Sequence, residues 1–243
     1  MNNYNLNSWS NQFGGSPEAL DAKVSAVMKS VYVKMFLGLL VTALTSWIVV
    51  ATANGDDGSF LYYLATHRWL YWGLAIAELG LVLWISAGMR RMSSGMATGL
   101  FFLFAIVNGL TLSLIFVVYS LPSIFKTFVI TAGVFGAMSV YGYFTTRSLA
   151  KIGSILYMAL FGLIILCVVN IFWANSTLDW IVSGLGVLIF IGITAWDTQQ
   201  IKQMAEADPT MANGRLATLG ALSLYLDFIN LFLYLLRFFG NRD

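Results

Sequence analysis

Three carboxylic acids stand in stretches of this sequence that are otherwise strongly apolar: Glu78, Asp197 and Asp227. In a bilayer, an ionised carboxylate at a helix centre costs about 2.5–3.5 kcal/mol on insertion scales, so an acid there needs a reason. Asp227 lies about 11 residues into its apolar run, near the midplane at a rise of about 1.5 Å per residue. On a helix, Gly220, Ser223, Asp227, Asn230 and Tyr234 share one face. That small and polar stripe must meet protein or water. Asp197 sits in Thr194-Ala195-Trp196-Asp197-Thr198-Gln199-Gln200, nearer the end of its run, where a carboxylate can also reach the headgroup region. The connection between the two runs is short, which predicts antiparallel neighbouring helices. Glu78 shares its face with Ala75, Leu81, Val82 and Ile85 and has little polar company. Each acid also has a structural alternative, a permanently protonated side chain that bonds a neighbouring helix.

Two facing carboxyls in a low-dielectric site titrate as one unit, because like charges disfavour double ionisation. Such a pair can hold one shared proton, two protons, or a hard cation such as Ca²⁺, which favours oxygen ligands. Asp197 and Asp227 are therefore the candidate pH sensor, ion gate and Ca²⁺ ligands. Asn230 and Glu78 are candidate accessories. Arg90, at the end of the helix that carries Glu78, is either a charge anchor or a side chain that reaches inward to a carboxylate.

The elements that must position these groups follow from composition. Of 243 residues, 59% are hydrophobic and 10% charged, against about 25% charged in a soluble domain. A bilayer, as solvent for the outer helix faces, accommodates that balance. Seven stretches suit membrane-spanning helices: roughly Val31–Ala53, Trp69–Gly88, Met96–Val118, Ile124–Phe144, Ile152–Trp173, Leu178–Ile201 and Leu216–Phe239. The expected fold is an all-α integral membrane protein with a polar N-terminal tail over 1–30 and a seven-helix domain over 31–240. Residues 1–30 lack the apolar core of a signal peptide. No internal repeat stands out.

Charge sets the expected direction. With the N-terminus in the cytoplasm, that side holds Lys23, Lys29, Lys34, Arg90, Arg91, Arg147, Lys151, Lys202 and Arg215. The other side holds Arg68, Lys126, Arg237 and Arg242. If the seventh stretch were re-entrant, the C-terminus would return to the cytoplasm. Trp69, Trp72, Trp173 and Trp180 fall at the expected outer interface. Gly133, Gly136 and Ala137, and Gly184 and Gly186, are predicted points of close helix packing. Cys167 is the single cysteine and reads as a core residue. The net charge of +2 is small and dispersed, which argues against a nucleic-acid partner.

The last stretch, Ala221-Leu222-Ser223-Leu224-Tyr225-Leu226-Asp227-Phe228-Ile229-Asn230-Leu231-Phe232, resembles the closing signature of the transmembrane Bax inhibitor motif family, which includes Bax inhibitor-1 and bacterial relatives. Trp196-Asp197-Thr198-Gln199-Gln200-Ile201 looks like that family's sixth-helix motif, and Asn108-Gly109-Leu110-Thr111-Leu112 and Met89-Arg90-Arg91 match more loosely. The resemblance runs from about Lys29 to Gly240. It implies a seven-helix, pH-sensitive calcium leak channel in which Asp197 and Asp227 form the sensor and Arg90 the latch. It also implies no cofactor, with Ca²⁺ and protons as the ions handled. The compact chain resembles bacterial members, which implies a bacterial cell membrane.

Rival chemistries fare less well. An intramembrane aspartyl protease also pairs aspartates on adjacent helices, but expects Gly-x-Gly-Asp where this chain has Leu224-Tyr225-Leu226-Asp227. A serine protease needs a membrane histidine, and His67 lies in a loop. A retinal protein needs a lysine deep in a span. The chain is therefore not expected to be an enzyme. A proton-coupled exchanger and a membrane scaffold that binds other proteins remain as alternatives.

Overall fold

The computed structural model describes residues 17–53, 59–88, 91–173, 175–207 and 214–241. The regular elements there are helices: α1 (Pro17–Ala51), α2 (Phe60–Thr66), α3 (Arg68–Gly88), α4 (Ser94–Leu112), α5 (Ile115–Val118), α6 (Leu121–Phe144), α7 (Ala150–Trp173), α8 (Ser176–Ala207) and α9 (Arg215–Phe239). Seven units are long and apolar enough to cross a membrane: α1, α3, α4 with α5, α6, α7, α8 and α9. They are the seven expected stretches. The ends differ in two places. Helix α1 runs unbroken from Pro17 across residue 30, and Val24, Val27 and Met28 on its first turns are buried. Helix α8 continues past Ile201 to Ala207, and its extension carries the Lys202–Glu206 ion pair at 4.0 Å.

Burial is inverted relative to a soluble domain. Phe172 is 82% exposed and Ile76 69%, whereas Thr131, Thr194, Thr198, Ser183 and Thr218 are fully buried. Lipid is the solvent for the outer faces, so polar groups turn inward. Trp69, Trp72, Trp173 and Trp180 all project outward, as interfacial aromatics do.

Helix α9 is the central pillar. It packs most extensively on α8 and also meets α1, α6, α4 and α3. Leu224, Tyr225 and Leu231 are completely buried. Its remaining face, with Ser223, Asn230 and Tyr234, is half-buried. It is one unbroken helix, with no turn back along its length. By contrast, α7 leans mainly on α8, and α3 mainly on α4.

The expected glycine contacts are partly corrected. A Cβ at Gly133 or Gly136 would meet nothing within 4 Å, and Ala137 is exposed. The buried face of α6 runs through Thr127, Thr131, Phe135, Ser139 and Gly142, so the close approach falls at Gly142, against the Ala195 carbonyl of α8. Gly186 does pack tightly, with the Tyr234 ring 2.5 Å from where its Cβ would be.

Candidate functional site

The turn of α8 that carries Asp197 is fixed by its two neighbours Trp196 and Gln199. The Trp196 indole fills the space where Gly153 of α7 lacks a side chain, and its ring meets Tyr157 edge-on at 5.0 Å. Gln199 Oε1 accepts from the Leu149 N–H at 2.8 Å, and its Nε2 donates to the Arg147 carbonyl at 2.9 Å. The connection between α6 and α7 is thereby pinned to α8 two residues from Asp197. At the start of α9, Lys34 Nζ donates to Thr98 Oγ1 at 3.0 Å, the Gly214 carbonyl at 3.1 Å and Thr218 Oγ1 at 2.7 Å. Gly214 adopts a left-handed φ of 66°, which suits glycine at this turn into the helix. Charge counting had assigned Lys34 only to a membrane face; the structure makes it a clamp between α1, α4 and α9.

Helices α8 and α9 bring Asp197 and Asp227 together. The two carboxyls line one cavity and lie close enough to act on each other. Two carboxylates so close repel when both are ionised, and a proton held between them relieves that repulsion. Asp197 is 7% exposed and Asp227 4%, and Asp227 Oδ2 has no hydrogen-bond partner. Asp197 lies nearer the C-terminal end of α8 than its start, as the sequence suggested, but ten residues short of that end. Asp227 stands at the middle of α9.

The pair lines a cavity of about 610 Å³, together with Glu78, Asn108, Tyr157, Ser223, Asn230 and Tyr234. Ser223, Asp227, Asn230 and Tyr234 of the predicted stripe thus share one space. Gly220 stands apart from it and packs against Val31 and Ile201. Asn230 Nδ2 donates to the Leu226 carbonyl of its own helix at 2.8 Å.

Glu78 has more polar company than its own helix face suggested. Thr111 Oγ1 donates to Oε1 at 2.6 Å, and Asn108 Nδ2 donates to Oε2 at 3.1 Å. Tyr225 OH in turn donates to Asn108 Oδ1 at 2.8 Å and lies 2.6 Å from Thr42 Oγ1. Asn108 and Thr111, spaced i and i+3 on α4, were visible only as a loose motif, and Tyr225 gave no signal beyond its motif. Arg90, the candidate latch, lies outside the described residues.

Among the described residues, no three His, Cys, Asp or Glu side chains cluster closely enough to hold a metal ion. The aspartate pair supplies two carboxyls, whereas Ca²⁺ takes six to eight oxygens. A calcium ion at the pair would keep much of its water, which suits an ion in transit better than a resident one.

The family described as "Inhibitor of apoptosis-promoting Bax1" matches residues 24–243. Among curated proteins, the inner membrane protein YbhL of Escherichia coli K12 is 46% identical, over 91% of this chain and 94% of its own length. An uncharacterized protein of Borreliella burgdorferi is 44% identical, over 88% and 91% respectively. The uncharacterized protein RP147 of Rickettsia prowazekii is 39% identical, over 93% of each chain.

Proposed function

We propose, for a chain that belongs to the Bax inhibitor family of membrane proteins, that its acid-lined cavity is the gate of a pH-sensitive calcium leak. The chain is a multi-pass protein of the bacterial inner membrane. The observation that carries the reading is that Asp197 and Asp227, both buried, line one cavity with Glu78.

With one proton shared, the pair carries a single negative charge and is closed on itself. Loss of that proton sets two like charges side by side, which drives the carboxyls apart and offers both to a cation. Gain of a second proton removes the charge altogether. Cation occupancy and proton occupancy therefore compete at one place. The pair acts on protons and cations and cleaves no substrate, so the reading is of a channel and not an enzyme. We place the N-terminus in the cytoplasm, because nine of the thirteen Lys and Arg residues then lie on that side.

A carboxyl pair that exchanges protons also suits a proton-coupled exchanger. One experiment separates the two: calcium uptake into liposomes holding the purified protein, followed across pH and against a calcium gradient. The leak predicts pH-dependent flux that runs only down the gradient. Uphill flux driven by a proton gradient would make the protein an exchanger. No flux at any pH would sink both.

A further inference from the structure

A second chamber, of about 270 Å³, lies toward the C-terminal end of α9 and is lined by Cys167, Asn170, Asp179, Arg237 and Tyr234. Its rim carries the Arg237–Asp179 ion pair at 3.4 Å, with side chains 40% and 31% exposed. Among the residues lining either chamber, Tyr234 alone lines both this one and the cavity of the aspartates. Its ring is a partition held on several sides. One face lies against Gly186 of α8, Phe190 stacks at 5.8 Å and 26°, and the Arg237 guanidinium sits 5.8 Å from the ring centre. Its hydroxyl lies 3.8 Å from Cys167 Sγ on α7.

We infer that Tyr234 is the gate between the aspartate cavity and a water-filled mouth at the Asp179–Arg237 end, through which hydrated cations reach the pair. This rests on the leak reading for its cargo, while the partition itself is a matter of geometry. The mouth suits cations only while Asp179 offsets Arg237, because an unpaired guanidinium there repels a divalent ion. Opening requires the ring to leave Gly186, whose missing side chain gives it a flat seat on which to pivot.

The test uses the full chain in sealed vesicles, with Cys167→Ser as background and Ser223→Cys as reporter inside the aspartate cavity. The probe is a small, charged, membrane-impermeant methanethiosulfonate added outside. With Tyr234 in place, labelling of the reporter should be slow. In Tyr234→Ala it should be at least several-fold faster, and in Tyr234→Phe, which keeps the ring, it should stay slow. Tyr234→Leu is read like the alanine variant should the latter fail to fold, as judged by thermal melting. Calcium flux in Tyr234→Ala without the reporter should rise several-fold, with its pH profile retained. Fast labelling with Tyr234 present would overturn the gate, as would slow labelling in a folded alanine or leucine variant. Absence of flux from the unmodified protein would instead remove the leak reading, and the labelling would still decide whether Tyr234 closes the mouth.

Discussion

Tyr225 donates its hydroxyl proton to Asn108 Oδ1 across 2.8 Å, and this fixes which end of the Asn108 amide faces Glu78. Tyr225 has one proton, so at the 2.6 Å contact with Thr42 it is Thr42 that donates. The chain Thr42–Tyr225–Asn108–Glu78 therefore has one direction and ties α1, α9, α4 and α3 together around the cavity wall. Reversal would need Asn108 to flip and present oxygen to a carboxyl.

Tyr225→Phe should lower the melting temperature in detergent. Thr42 can turn to the Ala105 carbonyl at 2.9 Å, but Asn108 Oδ1 is left without a donor. One orphaned buried acceptor costs about 1–3 kcal/mol. The pH dependence of flux should survive, because the aspartates are untouched. An unchanged melting curve would mean the chain contributes nothing to stability.

The helix-packing glycines give a paired prediction. At Gly142 a methyl would collide with the Ala195 backbone carbonyl, which cannot yield as a side chain can. Gly142→Ala should therefore spread α6 from α8 and destabilise the protein. Gly133→Ala, with nothing within 4 Å, should be neutral or stabilise by about 0.5–1 kcal/mol through helix propensity. Equal melting temperatures for the two variants would contradict the packing described.

These glycines also mark where sequence reading stops. The seven spans were legible because a bilayer demands long apolar runs whatever the packing. The meeting of Asp197 and Asp227 was legible because a short connection makes α8 and α9 neighbours. Glycine content carries no helix phase, so Gly133 and Gly136 read as contacts although the buried face of α6 runs through Gly142. The end of α8 was less legible, because polar residues after Ile201 read as a helix end, whereas α8 continues to Ala207. The partners of Glu78 lie on another helix, and the register of α3 against α4 leaves no mark in either segment alone.

Topology is the third expectation. Reporter fusions should place Met1 and a site between Gln199 and Arg215 on the cytoplasmic side, and a site between Asn54 and Arg68 outside. Asp243 should also be outside, since α9 is unbroken and long enough to cross. A cytoplasmic Asp243 would contradict a full crossing by α9. A cytoplasmic 54–68 segment, with Met1 outside, would invert the whole assignment.

The final prediction concerns the aspartate pair. Across about pH 6–8, the range in which a coupled buried carboxyl pair can exchange its proton, the wild-type site should become more negative as pH rises. Asp197→Asn and Asp227→Asn each leave a single buried carboxyl, which cannot pass from one charge to two. That step, and with it the pH dependence of calcium flux, should then be lost in either variant. The double variant should show no summed effect, because the two groups act as one unit. Glu78→Gln tests the third acid of the cavity. It keeps an acceptor for Asn108, and its new amide can donate to Thr111 if that hydroxyl turns, so folding should be little changed. It removes a charge outside the pair, so it should alter the amount of flux and leave the shape of the pH profile intact. Retention of the wild-type profile in both aspartate variants would make the pair structural. Loss of the profile in Glu78→Gln alone would move the sensor to α3.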